Sequence, residues 1–191
     1  MRSVATKVRV GVLALQGAVR EHLLAVTKLG HQGIPVRNEA ELKHVEALIL
    51  PGGESTAMRK LLDQAALLPA LKTFAVHRPI LGTCAGAILL SSRIVGQPTH
   101  HIGVLDVTIE RNAFGSQLNS FAGRGSVGAI KDYPMVFIRA PLFTEVGPGV
   151  QVIAQYQGQI VGVRQRSIWA LAFHPELTED LRVHELFLKQ E

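Results

Sequence analysis

The chain has 191 residues, 47% of them hydrophobic and 18% charged, which fits one globular domain over 1–191 and excludes a disordered polypeptide. The net charge of +5 and pI near 9.7 do not mark a nucleic-acid binder, because lysine and arginine are scattered singly and few aromatic rings are present to stack on bases. One cysteine excludes an internal disulfide, no run approaches the roughly 20 apolar residues of a membrane span, and the charged N-terminus has no apolar export core, so a cytoplasmic protein without membrane contact is expected.

In chain order, residues 8–15 read as a strand, followed by Gln16-Gly17 as a turn. Val19, Leu23, Leu24 and Val26 then recur at helical spacing, and Gly30 stands where a C′ residue ends a helix. A short strand at 33–36, an interrupted segment and a buried strand at 47–50 come next. Pro51-Gly52-Gly53-Glu54-Ser55 is a turn into a helix through Met58, Leu61 and Leu62, and its plainest reading makes Ser55 the N-cap. A helix over about 66–76 leads to an apolar strand that ends at Gly82-Thr83-Cys84-Ala85-Gly86, with another helix behind it. This βαβα order predicts an α/β fold with a mostly parallel open sheet and helices on both faces.

The second half is expected to be richer in strands. Leu105, Val107 and Ile109 alternate with Asp106, Thr108 and Glu110, the period of a half-buried strand. The stretch 112–128, rich in Gly and Ser, reads as mobile loop. Residues 150–156 and 159–165 flank Gln157-Gly158, a hairpin turn, and 168–173 form a last strand. Thr178-Glu179-Asp180 is expected to open a final helix, its acids in the first turn.

Chemistry concentrates around Cys84. Gly82 and Gly86 bracket it at the spacing of a nucleophile elbow, the sharp strand-to-helix turn of G-x-S-x-G hydrolases. A thiol at a helix N-terminus feels the positive end of the macrodipole, which favours the thiolate. The same window also fits a buried structural cysteine. A nucleophile needs a base, and the base an orienting group. His174-Pro175-Glu176 directly follows the last apolar strand, and in an extended segment residues i and i+2 share a side, so Glu176 can reach back to the His174 ring. The Ala85 amide and Gly52-Gly53, with Gly53 the second donor, are the candidate oxyanion hole. Both loops end parallel strands, where open α/β sheets place their sites. His100-His101 and His184-Glu185 lack a metal-ligand spacing, so neither metal nor cofactor is expected. Arg111, Arg139, Arg164 and Arg166 each fit an anion contact or an ordinary surface charge.

These segments resemble the class I, triad glutamine amidotransferases, and within them the glutaminase subunits of pyridoxal 5′-phosphate synthases. The resemblance is carried by 15–22 (LQGAVREH), 50–56 (LPGGEST), 82–86 (GTCAG), 110–115 (ERNAFG), 137–141 (FIRAP) and 173–178 (FHPELT), in family order over nearly the whole chain. It implies a flavodoxin-like α/β fold, with Cys84 as nucleophile, His174 as base and acid, and Glu176 as orienting residue. It further implies an L-glutamine site built from Gly52, Gly53, Glu54, Ser55, Arg111, Ile138 and Arg139, and a partner synthase subunit that is a (β/α)₈ barrel. That partner would combine the ammonia with a pentose phosphate and a triose phosphate to make vitamin B6. One departure is Ser116, where a larger or basic residue is expected in the family, which touches only local loop contacts. A stand-alone cysteine hydrolase or peptidase on a similar fold is the alternative, and a non-catalytic subunit would be expected to lack part of the triad.

Overall fold

The apolar runs of the first half become the parallel part of a single mixed sheet. The computed structural model describes residues 6–114 and 119–190. Its first half runs β1 (Arg9–Leu13), α1 (Val19–Lys28), β2 (Gln32–Val36), α2 (Glu39–Leu42), β3 (Ala47–Leu50), α3 (Ser55–Gln64), α4 (Leu68–His77), β4 (Ile80–Thr83) and α5 (Ala85–Leu90). The second half continues with β5 (Ser91–Ile94), β6 (Leu105–Glu110), β7 (Ser120–Val127), β8 (Ile130–Ile138), β9 (Leu142–Val146), β10 (Gln151–Tyr156), β11 (Gln159–Gln165) and β12 (Ile168–Leu171). A 3₁₀ turn (Pro175–Leu177) and α6 (Arg182–Lys189) close the described chain. The main strand order is β2-β1-β3-β4-β12-β11-β10-β7-β8, with β5, β6 and β9 branching from it.

From β2 to β12 the neighbouring strands are parallel, and beyond β12 the main path is antiparallel. Every residue of β3, β4 and β12 is buried, which is why these strands are continuous apolar runs without alternation. The pairing that matters for chemistry is β12 with β4, which sets Leu171 opposite Thr83. On the other side of β4, Leu50 lies opposite Gly82. Three strand ends, leading into Gly52-Gly53, Cys84 and His174, therefore emerge side by side.

Local chemistry revised several sequence-based expectations. Glu54, not Ser55, caps α3: its carboxylate accepts from the Thr56 and Ala57 amides at 3.0 and 2.7 Å. The final helix starts at Arg182 rather than near Thr178, because the Asp180 carbonyl accepts from the Tyr133 hydroxyl and its carboxylate from the Arg182 amide, holding 178–181 as a turn. The Gly- and Ser-rich stretch contains strand β7 paired with β8. Its glycines make room for neighbours, since a Cβ at Gly123 would stand 2.2 Å from the Tyr156 ring. Residues 115–118, Ser116 among them, lie outside the described residues. The hairpin at Gln157-Gly158 is present, both residues at positive φ as a tight β-turn requires.

Candidate active site

Cys84 occupies a true elbow. Its φ is +49° and its ψ −105°, a conformation that a residue with a side chain holds only under strain. The turn is locked from both sides: the Cys84 amide donates to the Leu171 carbonyl at 2.8 Å, and its own carbonyl accepts from Ile88 at 3.2 Å. The bracketing glycines are required sterically, because a Cβ at Gly86 would come within 2.0 Å of the Leu50 carbonyl oxygen and one at Gly82 within 2.6 Å of the Gly86 oxygen. Cys84 is 7% exposed, and its Sγ lies 3.8 Å from the Ile138 carbonyl oxygen.

His174 is presented by the segment after β12, its amide held by the Val136 carbonyl of β8 at 2.8 Å. Its Nδ1 is 2.7 Å from Glu176 Oε1, the contact anticipated from sequence. The route differs, however, because Glu176 lies in a 3₁₀ turn started by Pro175 and not in extended chain. Carboxylates only accept, so Nδ1 carries the proton and donates. Among the described residues His174 Nε2 has no partner that meets hydrogen-bond geometry, and its neighbour is the Cys84 thiol. Burial weighs against a charged ring, but the Cys84 thiol and the Glu176 carboxylate outweigh it and push the His174 pKa up to about 10. Burial alone would raise the Glu176 carboxyl, yet His22 and His174 beside it hold it below the usual carboxylate range.

Cys84 and His174 face a cleft of about 520 Å³. Its lining includes Gly52, Gly53, Glu54, Ser55, Ala85, Arg111, Ile138 and Arg139, so every binding and oxyanion candidate from the sequence is gathered there. Arg164 is not; its guanidinium lies over the Trp169 ring at 5.1 Å. Arg111 is steadied by the Thr56 hydroxyl at 3.3 Å, and Arg139 sits at φ +42°, its amide donating to the Asn119 carbonyl. Both Glu54 carboxylate oxygens are engaged in capping α3, while its amide donates to Gln16 Oε1 at 3.0 Å. Gln16, placed in a turn by the sequence reading, is thus a cleft residue that the sequence reading missed. Its signal was the Gly17 beside it, where a Cβ would lie 1.9 Å from the Gly52 carbonyl oxygen.

A thiol, an imidazole and a carboxylate in line beneath a polar cleft can carry acyl transfer from an amide or ester through a thioester. Comparison with known proteins narrows this. A model of the SNO glutamine amidotransferase family matches residues 12–191. The chain is 48% identical over 186 residues to "Pyridoxal 5′-phosphate synthase subunit PdxT" of Actinobacillus pleuropneumoniae serotype 5b, covering 97% of this chain and 96% of the relative. It is 49% identical over 183 residues to the protein of the same name in Shouchella clausii, covering 95% and 94%. A crystal structure of a glutamine amidotransferase superposes with a TM-score of 0.91 at 44% identity, covering 95% of this chain and 97% of the other. PurLQS from Thermotoga maritima, at 16% identity and a TM-score of 0.73 over 96% of this chain and 99% of the other, shares the fold.

Proposed function

The chain belongs to the SNO glutamine amidotransferase family, and from that membership we infer that it hydrolyses L-glutamine to glutamate and ammonia and hands the ammonia to a synthase subunit that makes pyridoxal 5′-phosphate. The observation that carries the reading is the cysteine at a strained elbow whose neighbouring imidazole is held by a buried carboxylate, at the floor of a cleft of amino-acid size.

In this reading Cys84 attacks the γ-carboxamide carbon of glutamine. The carbonyl oxygen takes up the negative charge, met by the Ala85 and Gly53 amides. His174, holding the thiol proton, gives it to the departing nitrogen, so ammonia leaves and a γ-glutamyl thioester remains. Water then attacks the thioester while His174 takes its proton, and glutamate leaves as the thiol is regenerated. Glu176 keeps the Nδ1 proton in place and stabilises the imidazolium as it forms. Arg111, Arg139 and the loop 52–55 hold the charged α-amino-acid end of glutamine, and the Ile138 carbonyl, 3.8 Å from the sulfur, borders the reacting group.

The partner in this proposal is a (β/α)₈-barrel synthase subunit, and nucleic acid has no part. The scattered basic residues support the second point. Residues 1–191 act as one domain, a reading supported by the continuity of the sheet. The reaction is assigned to the cytoplasm; no helix among the described residues is long and apolar enough to cross a membrane. The test is chemical. A glutamine-like electrophile should add to Cys84 alone, located by peptide mass, and Cys84→Ala should release no glutamate. Glutamate release by folded Cys84→Ala at wild-type rate would overturn the thioester mechanism.

A further inference from the structure

Behind the triad lies a pair of histidines that the mechanism above does not use. His22 on α1 and His184 on α6 are both fully buried, at 0% exposure. His22 Nε2 stands 3.4 Å from Glu176 Oε2 and 3.2 Å from Thr83 Oγ1. Its Nδ1 stands 2.9 Å from His184 Nε2. Glu176 Oε1 is taken by His174 Nδ1, while Oε2 has no hydrogen-bond partner among the described residues and faces His22 at ion-pair distance. Thr83 immediately precedes Cys84, so one imidazole ties the triad's acid to the strand end that presents its nucleophile.

The proton positions follow from counting donors. Burial lowers the pKa of both rings, that of His184 to about 3, so each carries a single ring proton at neutral pH. An ionised carboxylate offers only lone pairs. A proton on His22 Nε2 is donated to Thr83 Oγ1, turns the positive end of the N–H toward Oε2 at 3.4 Å, and leaves Nδ1 to accept from His184 Nε2. The opposite tautomer would set a lone pair against Oε2. It would also strand a proton on His184 Nδ1, a buried atom without a hydrogen-bond partner among the described residues.

We propose that His22 is a positioning residue for the triad: its Nε2–H, bonded to Thr83 Oγ1 and 3.4 Å from Glu176 Oε2, steadies the carboxylate electrostatically so that Oε1 stays aligned on His174, and His184 fixes the proton on that nitrogen. This rests on the reading of Cys84, His174 and Glu176 as the glutaminase triad. Without the His22 ring, Glu176 Oε2 loses the N–H dipole that faces it at 3.4 Å, and the carboxylate is free to turn away from His174.

The test combines turnover with spectroscopy on the full-length chain. In complex with the synthase subunit, His22→Leu should lower kcat for glutamate release about 10- to 100-fold, the size expected for losing one buried polar contact beside a charged group. KM for glutamine should change less than about twofold, because neither histidine lines the cleft. His22→Gln, whose amide reaches the same oxygen, should restore most of the rate. Adding His22→Leu to Glu176→Gln should cost little more than Glu176→Gln alone, as two parts of one device do. In ¹⁵N-histidine spectra of the wild-type chain, His22 should show a protonated Nε2 and a bare Nδ1. Unchanged kcat in folded His22→Leu, fully additive losses in the double variant, or a proton on His22 Nδ1 would each overturn the proposal. Should His22→Leu fail to fold, the wild-type spectrum and the His22→Gln rate decide it. Glutamate release by Cys84→Ala would overturn the triad reading itself, an outcome separate from these.

Discussion

Gly52 is where a single added carbon meets the chemistry most directly. A Cβ there would lie 2.4 Å from His174 Cε1, 2.8 Å from its Nδ1 and 3.5 Å from Cys84 Cβ. The first two are closer than real Cβ contacts allow, and the ring is fixed by Glu176, so Gly52→Ala must shift either the loop or the base. We expect kcat to fall about 10²-fold, the cost of misplacing a reacting group by roughly an ångström, with the melting temperature little changed. Wild-type turnover in Gly52→Ala would show that the loop yields freely. Glu176→Gln probes the same ring from behind: it keeps the shape and removes the charge that supports the imidazolium. The equivalent change in a serine protease triad costs about 10⁴-fold, and a smaller loss is expected here because a thiol depends less on its base. Unaltered glutamate release by Glu176→Gln would make the carboxylate a packing group only.

Among the elements, α3 shows what was legible in the sequence and what was not. Its existence follows from Met58, Leu61 and Leu62, but its cap does not follow from type preference, since Ser55 stands in the ordinary capping position of such a turn. The cap moved because the Glu54 carboxylate reaches two amides of the first turn. Glu54→Ala should therefore cost about 1 kcal/mol of stability, or about 2–4 °C in melting temperature for a chain of this size. An unchanged melting temperature would mean that water serves those amides equally well. The elbow was legible for a related reason: tight turns leave glycines at fixed offsets, and Gly82 and Gly86 are read without knowing the fold. His22 was not legible as part of the site, because its partners Thr83, Glu176 and His184 are 61, 154 and 162 positions away and only the sheet order brings them together. Strand β7 was hidden by its own composition, its glycines answering to Tyr156 and Met135 on neighbouring strands rather than to a loop.

Across the whole molecule, the buried His22–His184 pair makes folding stability depend on pH in a defined direction. The unfolded chain protonates His184 near its ordinary value of 6.5, whereas the folded chain resists until about 3, so the unfolded state binds the extra proton between those values. Stability then falls as pH drops through that window, by up to about 1.4 kcal/mol per pH unit for this one group. His22 acts in the same direction. Urea unfolding of His184→Leu should show a shallower acid dependence between roughly pH 6 and 4 than the wild type, and parallel curves would place the proton uptake elsewhere. The proposed function implies a division of labour, in which this chain makes ammonia and a second chain uses it. That division is tested most directly by supplying the synthase subunit with either glutamine or an ammonium salt in the presence of Cys84→Ala, and following pyridoxal 5′-phosphate by absorbance. The expected result is no cofactor from glutamine and full formation from ammonium. Cofactor formation from glutamine with Cys84→Ala, or failure of ammonium to replace it, would contradict the account.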